Sequence, residues 1–339
     1  MKKWLGLLLC AAMLLGLAAC AGNTQATYNG FQYKIKDDAV IITGYTGGAA
    51  KVTVPETIEG KPVTTIGKEA FAYSDHIKSV KLPEGLTVIG SRAFMWCEMM
   101  TTVELPSTLT DVGVGAFSNC TDLHEIELPV GLRAVGDNAF FYCNSLEVIN
   151  VPSTVTYLGQ QAFAYCSKLT DVTLPIGLVE LSEKLFFNCS SLKNIVLPIT
   201  LAKIGDLAFS DCTHLETIGI PASVATIGEN AFMDCRDLKS VTFIPGLLRS
   251  LGNNAFAGCG NLVQITLPDS LQQIGDGVFS GCTTMVSITI PQSVTAIGES
   301  VFYRCLADLV IRGVPGSYVA NYAVENNMDF EPIGGQTAA

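Results

Sequence analysis

Read as apolar and polar positions, residues 64–311 repeat one phrase eleven times. An Ala-Phe pair, or a variant of it, returns at Phe71, Phe94, Phe117, Phe140, Phe163, Phe186, Phe209 and Phe232 in steps of 23 residues. Phe256, Phe279 and Phe302 continue the series after a single step of 24, matched by Pro221 to Pro245 and Cys235 to Cys259. One residue has therefore been inserted between Cys212 and Pro245. The phrase from Leu146 to Cys166 generalises to Leu-x-x-Ile-x-Leu-Pro-x-x-Leu-x-x-Ile-Gly-x-x-Ala-Phe-x-x-Cys. Its Ile-x-Leu spacing puts two side chains on one face of a strand, and the proline ends that strand because it cannot donate to a ladder. Its Ala-Phe-x-x-Cys spacing suits a single helical turn packing inward, with the glycine supplying a sharp bend.

A unit this small cannot bury its apolar face alone, so the copies must stack. The expected fold is an α/β repeat solenoid, with a parallel β-sheet along one side and short helical turns on the other. Ten steps of ~4.8 Å give a sheet of about 48 Å. The ends depart from the unit, as the seals of an open core must. Residues 28–63 predict a capping hairpin, with Phe31, Tyr33 and Ile35 alternating, a turn at Lys36-Asp37-Asp38-Ala39, and an irregular first strand from Lys51 to Pro55. Residues 312–333 predict a second cap, in which Ser317 caps a helix from Tyr318 to Glu325 with Tyr318 and Tyr322 on one face, and Met328–Ile333 adds a strand. Residues 334–339 read as a frayed tail.

The first 19 residues read as an export signal: Lys2 and Lys3, an apolar stretch from Trp4 to Leu15, then small residues. The apolar run is shorter than the ~20 residues a spanning helix needs. Leu17-Ala18-Ala19-Cys20 resembles the lipobox of bacterial lipoproteins, which implies cleavage before Cys20 and its lipidation. Several acyl chains would hold the protein stably on a membrane. Residues 20–27 would then be a tether reaching no further than ~25 Å.

The repeat phrase itself resembles the BspA-type leucine-rich repeat of bacterial surface proteins, in its Treponema-like subclass, over residues 64–311. The resemblance implies a right-handed leucine-rich-repeat superhelix, exposure at the cell surface, and binding of host or neighbouring-cell proteins, extracellular-matrix components among them.

Composition narrows the chemistry. Apolar residues make up 49% of the chain and charged ones 15%, which excludes disorder. The net charge of −11, or −13 once the two leader lysines are gone, excludes nucleic acid as a partner. Three histidines that share no site, no Gly-x-Ser-x-Gly and no phosphate-cradling glycine run leave catalysis and cofactors without a basis. Ten cysteines, Cys97 through Cys305, hold one repeat phase. A straight row cannot wrap a metal ion tetrahedrally, and parallel Cβ vectors oppose disulfides, so a buried apolar rung of free thiols is expected.

Two surface rows are candidate ligand contacts. On the outward strand positions Glu104, Glu125 and Glu127 occupy adjacent rungs and would gain from a cation or a basic partner. The residue before the cysteine is aromatic in four of the first five repeats, at Tyr73, Trp96, Tyr142 and Tyr165, a stripe able to anchor a protein or stack on a sugar. The expected role is a non-enzymatic, membrane-anchored binding or adhesion module of the bacterial envelope, engaging a protein or glycan ligand from host matrix or envelope. The alternative is an envelope scaffold lipoprotein.

Overall fold

The computed structural model describes residues 26–333. The leader, Cys20 and the last six residues lie outside them. Every repeat is one coil of a solenoid, and the coils are joined by backbone hydrogen bonds on three sides rather than one. The first ladder holds thirteen strands, from Lys51–Thr53 and Ser79–Lys81 through Val310–Gly313 to Asp329–Pro332, and its registered pairs are parallel. These are the expected Leu-x-x-Ile-x-Leu strands. The second ladder was not anticipated by the single-sheet expectation. It is formed by two-residue strands such as Val88–Ile89 and Asp111–Val112, the Ile, Val or Leu at the second position being buried in all but the last, Ala296–Ile297. Two residues carry too short a pattern to read as a strand, and only stacking gives them partners.

The third side corrects the expected helical turns. From Gly90 to Cys97 the chain makes successive four-residue turns, closed by Ala93 N to Gly90 O (3.2 Å), Met95 N to Arg92 O (3.1 Å) and Cys97 N to Phe94 O (3.2 Å). Arg92 and Trp96, the third residues of two of these turns, have φ of 56° and 62°, the signature of type II turns and incompatible with a helix. The intervening N–H groups of Arg92, Phe94 and Trp96 donate to the next coil at 2.8–2.9 Å. The spacing Phe-x-x-Cys is thus shared by a helical turn and a turn ladder, and stacking selects the ladder because it satisfies every second N–H between coils.

The repeated glycine also has a different role from a bend. A Cβ on Gly113 would lie 2.8 Å from backbone atoms of Gly90 and Ser91, and one on Gly159 would lie 2.2 Å from Asp137 N. Glycine lets adjacent coils close up. Ser182 breaks this phase, and there the second ladder is interrupted, between Tyr157–Leu158 and Glu180–Leu181. The Ser182 hydroxyl donates to Leu158 O, where the corresponding Gly159 N donates to Val135 O at 2.8 Å.

Inside the coils runs a spine of phenylalanines. From Phe71 to Phe302 consecutive ring centroids are 4.9–6.1 Å apart with interplanar angles of 1–15°. Beside it the ten cysteines are free, and each S–H donates to the carbonyl of the preceding coil's phenylalanine, as in Cys120 Sγ to Phe94 O at 3.1 Å. A small side chain with a weak donor fits a slot that borders one carbonyl.

At the N-terminal end Phe31–Lys36 and Ala39–Tyr45 are antiparallel, with Asp37 and Asp38 both at positive φ (51° and 63°), as a type I′ turn requires. Phe31 and Tyr33 are buried, but Ile35 is 40% exposed because it lies at the hairpin tip, past the edge of the coil. Ala26–Tyr28 adds a further antiparallel strand through Asn29-Gly30, so Ala26 and Thr27, expected in the tether, belong to the hairpin, because their backbone pairs with Gln32 and Tyr33. Phe31 meets Phe71 edge-on and Tyr45 meets it at a tilt. At the other end helix α1 (Tyr318–Glu325) starts at Ser317, whose hydroxyl accepts from Ala320 N. Its buried residues are Val319 and Ala323 rather than the tyrosine pair, while Tyr322 meets Phe302 edge-on at 6.4 Å.

Candidate ligand-binding surface

The aromatic stripe occupies a demanding backbone position. In all eleven coils the residue before the cysteine phase sits at positive φ, between 56° and 75°, because it is the third residue of a type II turn. Six coils fill it with Asn, Asp or Gly, which adopt this conformation readily. Tyr73, Trp96, Tyr142, Tyr165 and Arg304 are held there at a cost of about 1 kcal/mol each. The four rings fall within the first five coils, while the later coils give the position to Asn, Asp, Gly and, at the end, Arg304.

The structure divides the stripe in two. Tyr142 and Tyr165, on adjacent coils, have ring centroids 5.4 Å apart at 40°. Phe141 joins them, 5.3 Å from Tyr165 at 70°, and Phe187 meets Tyr165 at 5.2 Å and 75°. Tyr73 is 66% exposed and Trp96 40%, and among the described residues neither has a ring partner. Asn119 separates the two groups. Phe141 and Phe187 are functional candidates missed by reading one repeat phase. They stand at the position directly after the spine phenylalanine, and the same periodic reading shifted by one residue finds them.

The acidic row is different from its expectation. Glu104 is paired with Lys81 (Nζ to Oε2, 2.9 Å), and that contact raises the Lys81 pKa. Glu125 and Glu127 are exposed without an ion-pair partner among the described residues. The three carboxylates do not converge: no group of three His, Cys, Asp or Glu side chains among the described residues could hold a metal ion. Outward alternation along strands keeps Glu125 and Glu127 two residues apart on a solvated face.

An unanticipated aliphatic patch lies at the corner after the proline. Ile176 and Ile199, each directly after the proline of adjacent coils, are 74% and 82% exposed, with Val179 after the first and Val196, two residues before Pro198, also exposed. Burial pushes the thiols of the Cys row up, those of Cys97 and Cys166 to about 12, so none is a nucleophile at neutral pH. His76 Nε2 and His214 Nδ1 donate to backbone carbonyls, of Gly47 (3.0 Å) and Ser190 (2.6 Å).

Stacked coils with a strand phase, a turn phase and an exposed, variable row define a leucine-rich-repeat interaction scaffold. Comparison with known families agrees: the model of the BspA type leucine rich repeat region matches six copies over residues 50–170 and 179–308. The chain belongs to that family, a repeat fold of protein interaction. A leucine rich cell surface protein from Faecalibacterium prausnitzii has a similar solved structure, at 28% identity and a TM-score of 0.51, over 88% of this chain and 97% of that one. A leucine-rich repeat protein from Bacteroides ovatus is similar in fold at 24% identity and a TM-score of 0.50, over 91% of this chain and all of that one. No curated protein matches the chain. No helix among the described residues is long and apolar enough to cross a membrane.

Proposed function

We propose that this protein is a non-enzymatic adhesion module, exported, anchored to the bacterial membrane through a lipid on Cys20, and displayed at the cell surface with both ends of the solenoid capped. Its partner is a protein, of host matrix or a neighbouring envelope, engaged by Phe141, Tyr142, Tyr165 and Phe187 with Trp96 and Tyr73 beside them. The observation that carries this reading is the retention of Tyr and Trp at a left-handed position that other coils give to Asn, Asp and Gly. The rings are tilted by 34–75° to one another and present edges and knobs, which suit side-chain pockets better than the flat face of a sugar. Immobilised protein tested against host matrix proteins and envelope extract in parallel should capture a partner, and Tyr142→Ala with Tyr165→Ala should weaken capture by about 2 kcal/mol or more. Undiminished binding by that double variant would end the reading.

A second reading, an envelope scaffold, is favoured by the short tether: with Ala26 and Thr27 already in the first strand, six residues would keep the solenoid within ~20 Å of its membrane. Protease treatment of intact cells separates the two. Digestion supports adhesion, and protection until lysis supports the scaffold.

A further inference from the structure

The inserted residue has a structural consequence that the repeat pattern does not reveal. Thr217–Ile220 and Ser240–Phe243 pair at an offset of 23, up to Ile220 with Phe243, whereas Thr226 pairs with Ser250 at 24. In the preceding coil Pro221 follows Ile220 directly, but here Ile244 stands between Phe243 and Pro245, so Ile244 is the extra residue. Its N–H donates back to Ile220 O (2.9 Å), and the corner is drawn against the preceding coil at Gly246, where a Cβ would lie 2.0 Å from Ala222 O. The corner bulges. Pro245 is exposed and Phe243 only half-buried, while their counterparts Pro221 and Ile220 are buried, and Ile244 and Leu247 are each 54% exposed.

The first ladder is interrupted between Ser240–Phe243 and Gln264–Thr266, as it also is after Glu125–Ile126 and after Asp171–Thr173, and beside the bulged corner a groove of about 600 Å³ opens. One wall carries Ser240, Thr242 and Phe243, and the other Gln264, Thr266 and Asp269. Its volume falls within the ~300–1,000 Å³ of small-molecule sites. The polar groups are two-way hydroxyls, an amide and one carboxylate. The cation at the groove, Lys239, is already held by Glu216 at 2.8 Å, so nothing in it selects an anion. The half-buried ring of Phe243 and the exposed ring of Pro245 offer an apolar face.

We propose that this groove binds a neutral saccharide, with Phe243 and Pro245 against the C–H face of a pyranose, Asp269 accepting from vicinal hydroxyls, and Thr242, Gln264 and Thr266 completing the hydrogen bonds. The site is distinct from the aromatic protein-binding surface proposed above.

The test is saturation-transfer NMR on the full chain in a zwitterionic, sugar-free detergent, using short oligomers of glucose, galactose and mannose, with oligouronates and an extended neutral peptide as competitors. One neutral series should bind with a Kd of about 1 mM or below. Phe243→Ala, Asp269→Ala and deletion of Ile244 should each raise that Kd about tenfold with the circular dichroism unchanged, and Tyr142→Ala with Tyr165→Ala should leave it unaltered. Binding by none of the neutral series, preference for oligouronate or peptide, or a Kd that Asp269→Ala and Phe243→Ala leave within twofold would overturn the assignment.

Discussion

Alkaline pH should unfold this protein through its cysteines. Nine thiols, from Cys97 to Cys282, are buried in one row, each donating its S–H to a phenylalanine carbonyl. Burial raises their pKa values above the ordinary 9.0, to about 12 for Cys97 and Cys166 and well above 9.0 for Cys120, Cys143, Cys189 and Cys235. In the unfolded chain the same thiols ionise near 9. Above that pH the unfolded state holds fewer protons than the folded one, so stability falls as pH rises, and the loss is negligible below about pH 8. At pH 10 the loss is roughly 1 kcal/mol for each thiol and on the order of 10 kcal/mol for the row, comparable with the ~5–15 kcal/mol that holds a typical domain together. Circular dichroism should therefore show cooperative loss of structure between about pH 9 and 10.5. Replacing Cys143, Cys166 and Cys189 with Ala should flatten the dependence of unfolding free energy on pH by about 4 kcal/mol per pH unit at the steepest point. The slope is the informative quantity, because the substitutions also remove three S–H bonds and alter stability at every pH. A fold as intact at pH 11 as at pH 8, or a triple variant with an unchanged slope, would refute the reasoning.

Three further outcomes follow from the coil geometry. Gly159→Ala places a methyl group 2.2 Å from Asp137 N and should destabilise by about 3 kcal/mol in urea unfolding, since two or three ladder bonds must lengthen to admit it. Conversely, Ser182→Gly should let the second ladder close and raise stability by about 1 kcal/mol, seen as slower amide exchange at residues 180–182. Tyr73→Asn relieves a left-handed tyrosine that has no ring partner, and should raise the melting temperature by a few degrees, about 1 kcal/mol, while any partner binding through Tyr73 is lost. Cys20→Ala should move the protein from the membrane to the soluble fraction of cell lysates, and continued sedimentation with membranes would contradict the lipid anchor.

Much of this protein is written in its period. The 23-residue step, the inward Phe and Cys phases, the strand before each proline and the helix opening at Ser317 can all be read from spacing, because each depends on residues within one coil or on the same residue in the next. The surface rows of Tyr142, Tyr165 and Glu125 follow from the same bookkeeping. Other features belong to stacking alone. Val88–Ile89 is a strand only because coils on either side supply partners, and Gly159 is required by the backbone of the coil beneath it. The turn ladder replaces a helical turn because its alternate N–H groups bond between coils, and that choice puts Tyr142 and Tyr165 at positive φ. A lone extra residue, Ile244, reads as a phase slip in sequence and becomes a groove only where the neighbouring coil keeps its register. Within a coil, side-chain chemistry is decisive, and between coils the distance of closest backbone approach decides what the chain can become.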